Sequence, residues 1–388
     1  MATLRLNREA LRTNFEELDR RMAGHGMAWG VVTKLLCGHP LFLREVLELG
    51  PSHVMDARTS NLRTVKEIDP EVRTAYIKPP APGNADEVVR WADISFNTEL
   101  RTLAALDAEA ARQGVTHGVV VMVEMGDLRE GVAGARLFDF LERTLRFEHL
   151  RLQGLGTNFN CLNGTVPSEG KLRRLGWMRE RAERRFGIRL PWLSGGTSVA
   201  LPMLFQGRIP EDVTHFRVGE GLFFGRDLLT GERFGGMRDD VFRLETEVSE
   251  VADKPNAPSG PFGRSPFGHV PETADDPTGT SRRALLDLGW LDLQPEFLTP
   301  VDEGVEIVDL SSDITVVDVS KRAQPTRVGE RLRFRLRYMG ALKLLNSSYV
   351  DKVVVDESVA GMAAPGKAAP GKAAPADEPV GARERASG

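Results

Sequence analysis

Cysteine is scarce in this chain of 388 residues. There are two, Cys37 and Cys161, too few for a disulfide framework and suited to a reducing compartment. No sign of charge dominates. The formal net charge is −4, and no basic stripe runs between aromatics, so the electrostatic footprint of a nucleic-acid binder is missing. No stretch of about 18 apolar residues occurs, which argues against a membrane-spanning helix. The opening residues, MATLRLNREALRTNF, lack the apolar core of a secretory signal. A cytoplasmic location is the resulting expectation. What remains is an ordinary globular balance, 41% hydrophobic and 27% charged, at a length that suits a large domain plus a second one.

The first part of the chain alternates short apolar runs with helical patterns such as NREALRTNFEELDRRM and ELRTLAALDAEAARQG. Such alternation predicts parallel strands joined by crossover helices. Eight runs qualify as strands: 28–33, 52–57, 73–78, 92–97, 118–124, 151–157, 189–195 and 213–219. Continuous apolar strands imply burial on both faces. A count of eight predicts an α/β fold with a closed (β/α)8 barrel, although an open doubly wound sheet would look the same locally. In a barrel, chemistry sits where strands end. The strand ends, in order, are Lys34, Asp56, Lys78, Asn97, Glu124, Asn158, Ser194 and Arg217, all polar.

Helical periodicity fades after about residue 236. Strand-like runs follow: DVFRLETEVSEV, SRRALLDLGWLDL, VEIVDL, DITVVDV, ERLRFRLRYM and ALKLL. The expected division is a barrel over 7–235 and a mostly β domain over 1–6 and 236–356, with TLRLN pairing into the latter. A Pro/Gly-rich excursion over 253–281 interrupts the β domain. The tail, 357–388, repeats AAPGK and has too few large apolar side chains to offset its ordering entropy, so disorder is expected there.

Four features bear chemistry. Lys34 follows the apolar strand AWGVVT; a lysine desolvated at a barrel mouth is disfavoured as ammonium, and a neutral amine condenses with aldehydes. LSGGTS sets Ser194, Gly195, Gly196, Thr197 and Ser198 after the seventh strand, where glycines admit an anion and hydroxyls donate to it. HFRVGEGLFFGRD directs Arg217 toward the mouth and places backbone donors near Gly219 beside the same anion. VEMGDLREG ends a strand at Glu124 and brings Arg129, a bidentate partner for a carboxylate. Taken singly, each is as well explained by a solvated strand end or an ordinary glycine turn.

In order along the chain, VVTKLLCGHP, HVMDARTSNL, LGTNFNC, SGGTS, RVGEGLFFG, GWLD and SSDITVVDV resemble the fold-type III enzymes that use pyridoxal phosphate, the alanine racemase type. Within that type the chain is most similar to the ornithine racemase-like branch, over roughly residues 2–355. The resemblance implies that Lys34 carries pyridoxal 5′-phosphate and transfers protons. It implies a phosphate grip from Ser194, Gly195, Gly196, Thr197 and the amides at Gly219 and Glu220. Arg217 would face the ring nitrogen and leave it unprotonated, and Asn158 would lie against the ring. Arg129 would bind the substrate carboxylate. Ser312 and Asp313 would reach the site from a partner subunit, so a homodimer is implied. Asp56, Arg58 and Asn61 stand where they could shape substrate choice; an ion pair between Asp56 and Arg58 explains them equally well.

The implied activity is interconversion of L- and D-amino acids, with ornithine or another basic or polar amino acid as substrate. Racemisation needs a proton carrier on each face of the α-carbon, and Lys34 serves one. The family's tyrosine for the other face is replaced by Trp290, and a histidine frequent in the branch by Ile314. Cys161, Asp313 and Tyr349 remain as candidates. Two other readings stay open: decarboxylation or aldol cleavage on the same scaffold, and a cofactor-binding protein without turnover. Against aldol cleavage, no histidine has Asp or Cys two residues on, the metal pair of the aldolase relatives. Against decarboxylation, neither cysteine begins the Cys-Asp/Glu-Ser pattern of those relatives. No metal is expected.

Overall fold

The computed structural model describes residues 2–261, 263 and 278–356. Strand β1 is Thr3–Asn7, and the next eight strands close into a barrel: β2 Ala28–Val32, β3 Val54–Asp56, β4 Thr74–Tyr76, β5 Ile94–Asn97, β6 His117–Met122, β7 Leu150–Gly156, β8 Trp192–Thr197 and β9 His215–Val218. Every neighbouring pair is parallel, and β9 returns to β2 through Ala28↔His215 and Gly30↔Arg217. The open doubly wound sheet is thereby excluded.

Period-two alternation sorts the strand residues into two cores. Val32, Met55, Ala75, Ile94, Phe96, Val120, Met122 and Trp192 fill the barrel interior. Their neighbours Val31, Val54, Val119, Leu155, Leu193 and Phe216 face outward into one large core with the helices. The barrel helices are amphipathic and carry ordinary signals. Asn7 caps Arg8–Gly24 by accepting from the Ala10 amide, and Ser168 caps Glu169–Phe186 by accepting from the Lys171 amide.

The second domain is an eight-stranded sheet. Its further strands are β10 Phe242–Pro255, β11 Thr280–Asp287, β12 Leu298–Pro300, β13 Glu306–Leu310, β14 Ile314–Asp318, β15 Arg331–Leu336 and β16 Asp351–Val355. β10 pairs antiparallel with β1, β15 and β11, shifting register between Val248 and Glu250. β1 also pairs parallel with β16, so the start of the chain is stitched into the sheet formed by its end.

One expectation is corrected. ALKLL is not a strand: it lies in the helix Tyr338–Asn346. Ala341, Leu344 and Leu345 are buried at helical spacing, and Ala, Leu and Lys are strong helix formers. Of the expected excursion over 253–281, both ends continue strands, β10 to Pro255 and β11 from Thr280. Residues 262 and 264–277 lie outside the described residues, as does the tail over 357–388. No helix among the described residues is long and apolar enough to cross a membrane.

Candidate active site

Parallel closure points all eight strand ends one way, and the loops beyond them ring a cavity of about 340 Å³. Lys34 opens a single 3-10 turn after β2, Lys34–Leu36, and reaches the cavity. The β-domain helix Tyr338–Asn346 packs on that turn, and Cys37 Sγ donates to the Leu342 carbonyl at 3.7 Å. This docking sets the Tyr338 ring 5.7 Å from Lys34 Nζ. Glu220 begins the helix after β9; burial pushes its carboxyl up, against the pull of the Lys34 charge.

Arg217 lies at the cavity floor, almost without solvent contact. Its Nη1 donates to Ser194 Oγ at 2.5 Å and to the Ser194 carbonyl at 3.1 Å, and Nη2 donates to the Thr157 carbonyl at 2.6 Å. The guanidinium carbon is 5.3 Å from the Phe96 ring centroid. Burial lowers its pKa to about 10, so the group stays charged at neutral pH. Arg129, which lines the same cavity, is held bidentately by Glu130, with Nη2 2.5 Å from Oε1 and Nε bonded to Oε2. That hydrogen bond holds the Arg129 guanidinium above its usual range.

The wall carrying Asn158 and Cys161 is fastened by Asp127. Its carboxylate accepts from Asn158 Nδ2 (3.4 Å), the Leu162 and Asn163 amides (3.2 Å each) and Thr165 Oγ1 (2.7 Å). Burial works against the charge, and these donors outweigh it, leaving the carboxyl below its ordinary range. Leu128 and Asn160 beside it are left-handed without being glycine, at φ 56° and 71°. Such strain is of order 1 kcal/mol per residue and collects at functional sites.

Of the eight polar strand ends, Lys34, Asn158 and Arg217 line the cavity, joined by Arg129, Cys161, Thr197, Gly219 and Glu220. Several expectations are corrected. Ser194 is fully buried and turned toward His215 and Arg217, away from the cavity. Gly195 and Gly196 answer to packing: a Cβ at Gly196 would lie 2.1 Å from the Phe216 ring, and one at Gly195 would lie 3.0 Å from Leu172 Cδ2. Asp56 is fully buried, accepting from Thr33 Oγ1 (2.8 Å), the Arg58 amide (3.0 Å) and Asn61 Nδ2 (3.0 Å), and it lines nothing. Arg58 is exposed and off the wall. Tyr349, 73% exposed, stands clear of this chain's cavity. Ser312 and Asp313, expected to act from a partner subunit, are not among these corrections: they form an exposed turn before β14, off this chain's own cavity, with Ser312 Oγ donating to Asp313 at 3.1 Å.

Ser198, expected only as a hydroxyl donor to an anion, also accepts at Oγ from the Gly219 and Gly221 amides, at 3.3 and 3.0 Å, and so joins the loops after β8 and β9. Three residues escaped the sequence reading. Glu130 was hidden by its neighbour Arg129. Tyr338 fell in a run read as strand. Asp127 carried one signal, an Asp beside Gly in a turn segment.

Residues 6–227 match the alanine racemase N-terminal domain family. The chain is 33% identical over 343 residues to an ornithine racemase from Acetoanaerobium sticklandii, covering 88% of this chain and 96% of that one. It is 29% identical over 350 residues to a lysine racemase from Thermotoga maritima, covering 90% and 97%. In fold it is similar to an alanine racemase from Bartonella henselae with covalently bound pyridoxal phosphate, with a TM-score of 0.70, 14% identity, and 91% and 99% coverage. The family match spans most of the barrel, and the likeness to the ornithine racemase spans both domains: the chain belongs to the alanine racemase family.

Proposed function

We propose that this chain is a pyridoxal 5′-phosphate-dependent racemase that interconverts the L and D forms of a basic amino acid, of the ornithine or lysine kind. One observation carries the reading. A primary amine, a buried guanidinium and an arginine–carboxylate pair, Lys34, Arg217 and Arg129–Glu130, face a single cavity. The donor set fits the cofactor in kind: an amine for its aldehyde, a guanidinium for its ring nitrogen, and Thr197, Ser198 and the Gly219–Glu220 backbone for its phosphate. A volume of about 340 Å³ is within the ordinary range for such a site.

When bound, pyridoxal phosphate supplies an aldehyde for amines and a conjugated ring that takes up charge as the α-hydrogen leaves. The rest is the protein's work. Lys34 would hold the cofactor by its aldehyde and would move the proton on one face of the α-carbon. Arg217, a donor at every nitrogen, keeps the ring nitrogen an acceptor. Arg129 takes the substrate carboxylate, and Glu130 beside it offers an oxygen to a side-chain ammonium. Cys161, 3.5 Å from Asn158 Oδ1 on the same wall, is this chain's own candidate for the opposite face. Ser312 and Asp313 serve from a second copy, in a homodimer.

The test is incubation of the full chain with pyridoxal phosphate and L-ornithine, L-lysine or L-alanine in deuterated water, following α-hydrogen exchange and chirality together. Exchange with inversion, at least about tenfold faster for ornithine or lysine than for alanine, is expected. Exchange without inversion, release of carbon dioxide or an aldehyde, or no exchange with any substrate overturns the proposal.

A further inference from the structure

Below Arg217, the N-terminal end of the barrel interior holds two imidazoles that the proposed chemistry does not use. His53 Nε2 and His215 Nε2 are 2.8 Å apart. His215 Nδ1 is 2.7 Å from Ser194 Oγ, and His53 Nδ1 is 2.9 Å from Ser52 Oγ. With Arg217 Nη1 on Ser194 Oγ at 2.5 Å and Ser52 Oγ 2.9 Å from the Trp29 carbonyl, five consecutive hydrogen bonds cross the barrel.

The two ends fix the polarity. A guanidinium only donates and a carbonyl only accepts. Ser194 Oγ therefore accepts from Arg217, and its own proton is available for His215 Nδ1. His215 then bears its proton on Nε2 and donates to His53 Nε2. His53 bears its proton on Nδ1 and donates to Ser52, which donates to Trp29. The reverse arrangement asks Ser52 to donate twice with one proton and leaves the Ser194 proton without a place in the chain. We infer that Ser52, His53, His215 and Ser194 form a one-way hydrogen-bond chain, with both rings neutral, that positions the Arg217 guanidinium.

The surroundings support neutral rings. Trp192 stacks on His215 with centroids 4.0 Å apart and 11° between planes, and His53 stacks on the same indole at 5.1 Å. Gly30 leaves the space that His53 occupies, since a Cβ there would lie 2.5 Å from the ring. Burial holds His53 down to about 4 and His215 well below its usual range; the charges of Arg73 and, for His215, of Arg217 act in the same direction. Each donated proton polarises the next link, so Ser194 Oγ becomes a better acceptor for a cation that burial disfavours. Ser52, His53, His215 and Ser194 are positioning residues: they reach the cavity through Arg217. Their catalytic value rests on the cofactor reading above, but the polarity of the chain does not.

Nitrogen-15 labelling of histidine in the full chain, with signals assigned by single substitutions, reads the tautomers directly. The expected result is Nδ1–H on His53 and Nε2–H on His215. The opposite tautomer on either ring, or a charged ring at neutral pH, overturns the inference. Ser194→Ala gives a second reading. Cutting that link leaves the Ser52 end in place, so His53 should keep Nδ1–H, while the loosened Arg217 should lower kcat about tenfold with KM within about twofold. Unchanged kcat in a folded, cofactor-loaded Ser194→Ala protein overturns the positioning role. Cofactor uptake is scored separately: a protein with the expected tautomers that takes up no pyridoxal phosphate keeps the chain and removes the proposed function.

Discussion

At the floor of the barrel, His53, His215 and Trp192 are stacked in fixed hydrogen-bond roles and nearly closed to solvent. At the mouth, the loops after β6 and β7 pass through left-handed residues, carry exposed Leu128 and Leu162, and are held by two carboxylates, Asp127 across both loops and Glu124 within the first. The same strands supply both ends. The lesson is that the floor is ordered by packing, where every methylene matters, while the mouth is ordered by a few polar contacts around open space. Damage at the floor should appear mainly as lost stability, reaching turnover only through Arg217, and damage at the mouth as lost turnover in a folded protein.

The largest effect belongs to the mouth. Lys34→Ala should reduce racemisation by about 10⁴-fold or more while the far-ultraviolet circular dichroism is preserved. Loss of folding instead would erase the contrast between the two ends. Trp192→Ala is the counterpart at the floor. Removing an indole stacked on two imidazoles should cost about 3–5 kcal/mol in urea unfolding. Asp127→Ala sharpens the description of the mouth: with its wall unfastened, KM should rise about tenfold and kcat should change less, in steady-state kinetics.

The smallest effect tests Asp56, which lies between the two regions. Burial raises its carboxyl from 3.8 to about 6, against hydrogen bonds from Thr33, Arg58 and Asn61. The folded protein therefore holds this proton where the unfolded chain has released it. The resulting contribution is present at low pH and is lost as pH rises through about 6. Between pH 5 and 7 the loss should be about 1 kcal/mol. In Asp56→Asn the unfolding free energy should be flatter across that window by the same amount.

Much of this was legible in the sequence. Eight apolar runs gave the barrel, and the strands ending near Lys34, Asn158 and Arg217 gave three cavity residues, because burial on both faces and strand polarity are local signals. Ser194 and Asp56 misled for one reason: a polar residue at a strand end can face its neighbours as well as the opening, and a one-residue change in phase decides which. Tyr338 and the His53–His215 pair depend on distant segments meeting in space, a β-domain helix on the Lys34 turn and two strands 162 positions apart. No periodicity within one segment carries that information.

The seat of β1 bears on biosynthesis. Thr3–Asn7 lies between β10 and β16, and its parallel partner ends at Val355. As the chain leaves the ribosome, the barrel strands emerge long before this seam can close, and β1 must wait with one edge or both unpaired. Closing so long a loop is slow but adds little to the equilibrium cost. Deleting the first few residues would open the seam between β10 and β16 and offer unpaired strand edges to other chains, the usual route to aggregation.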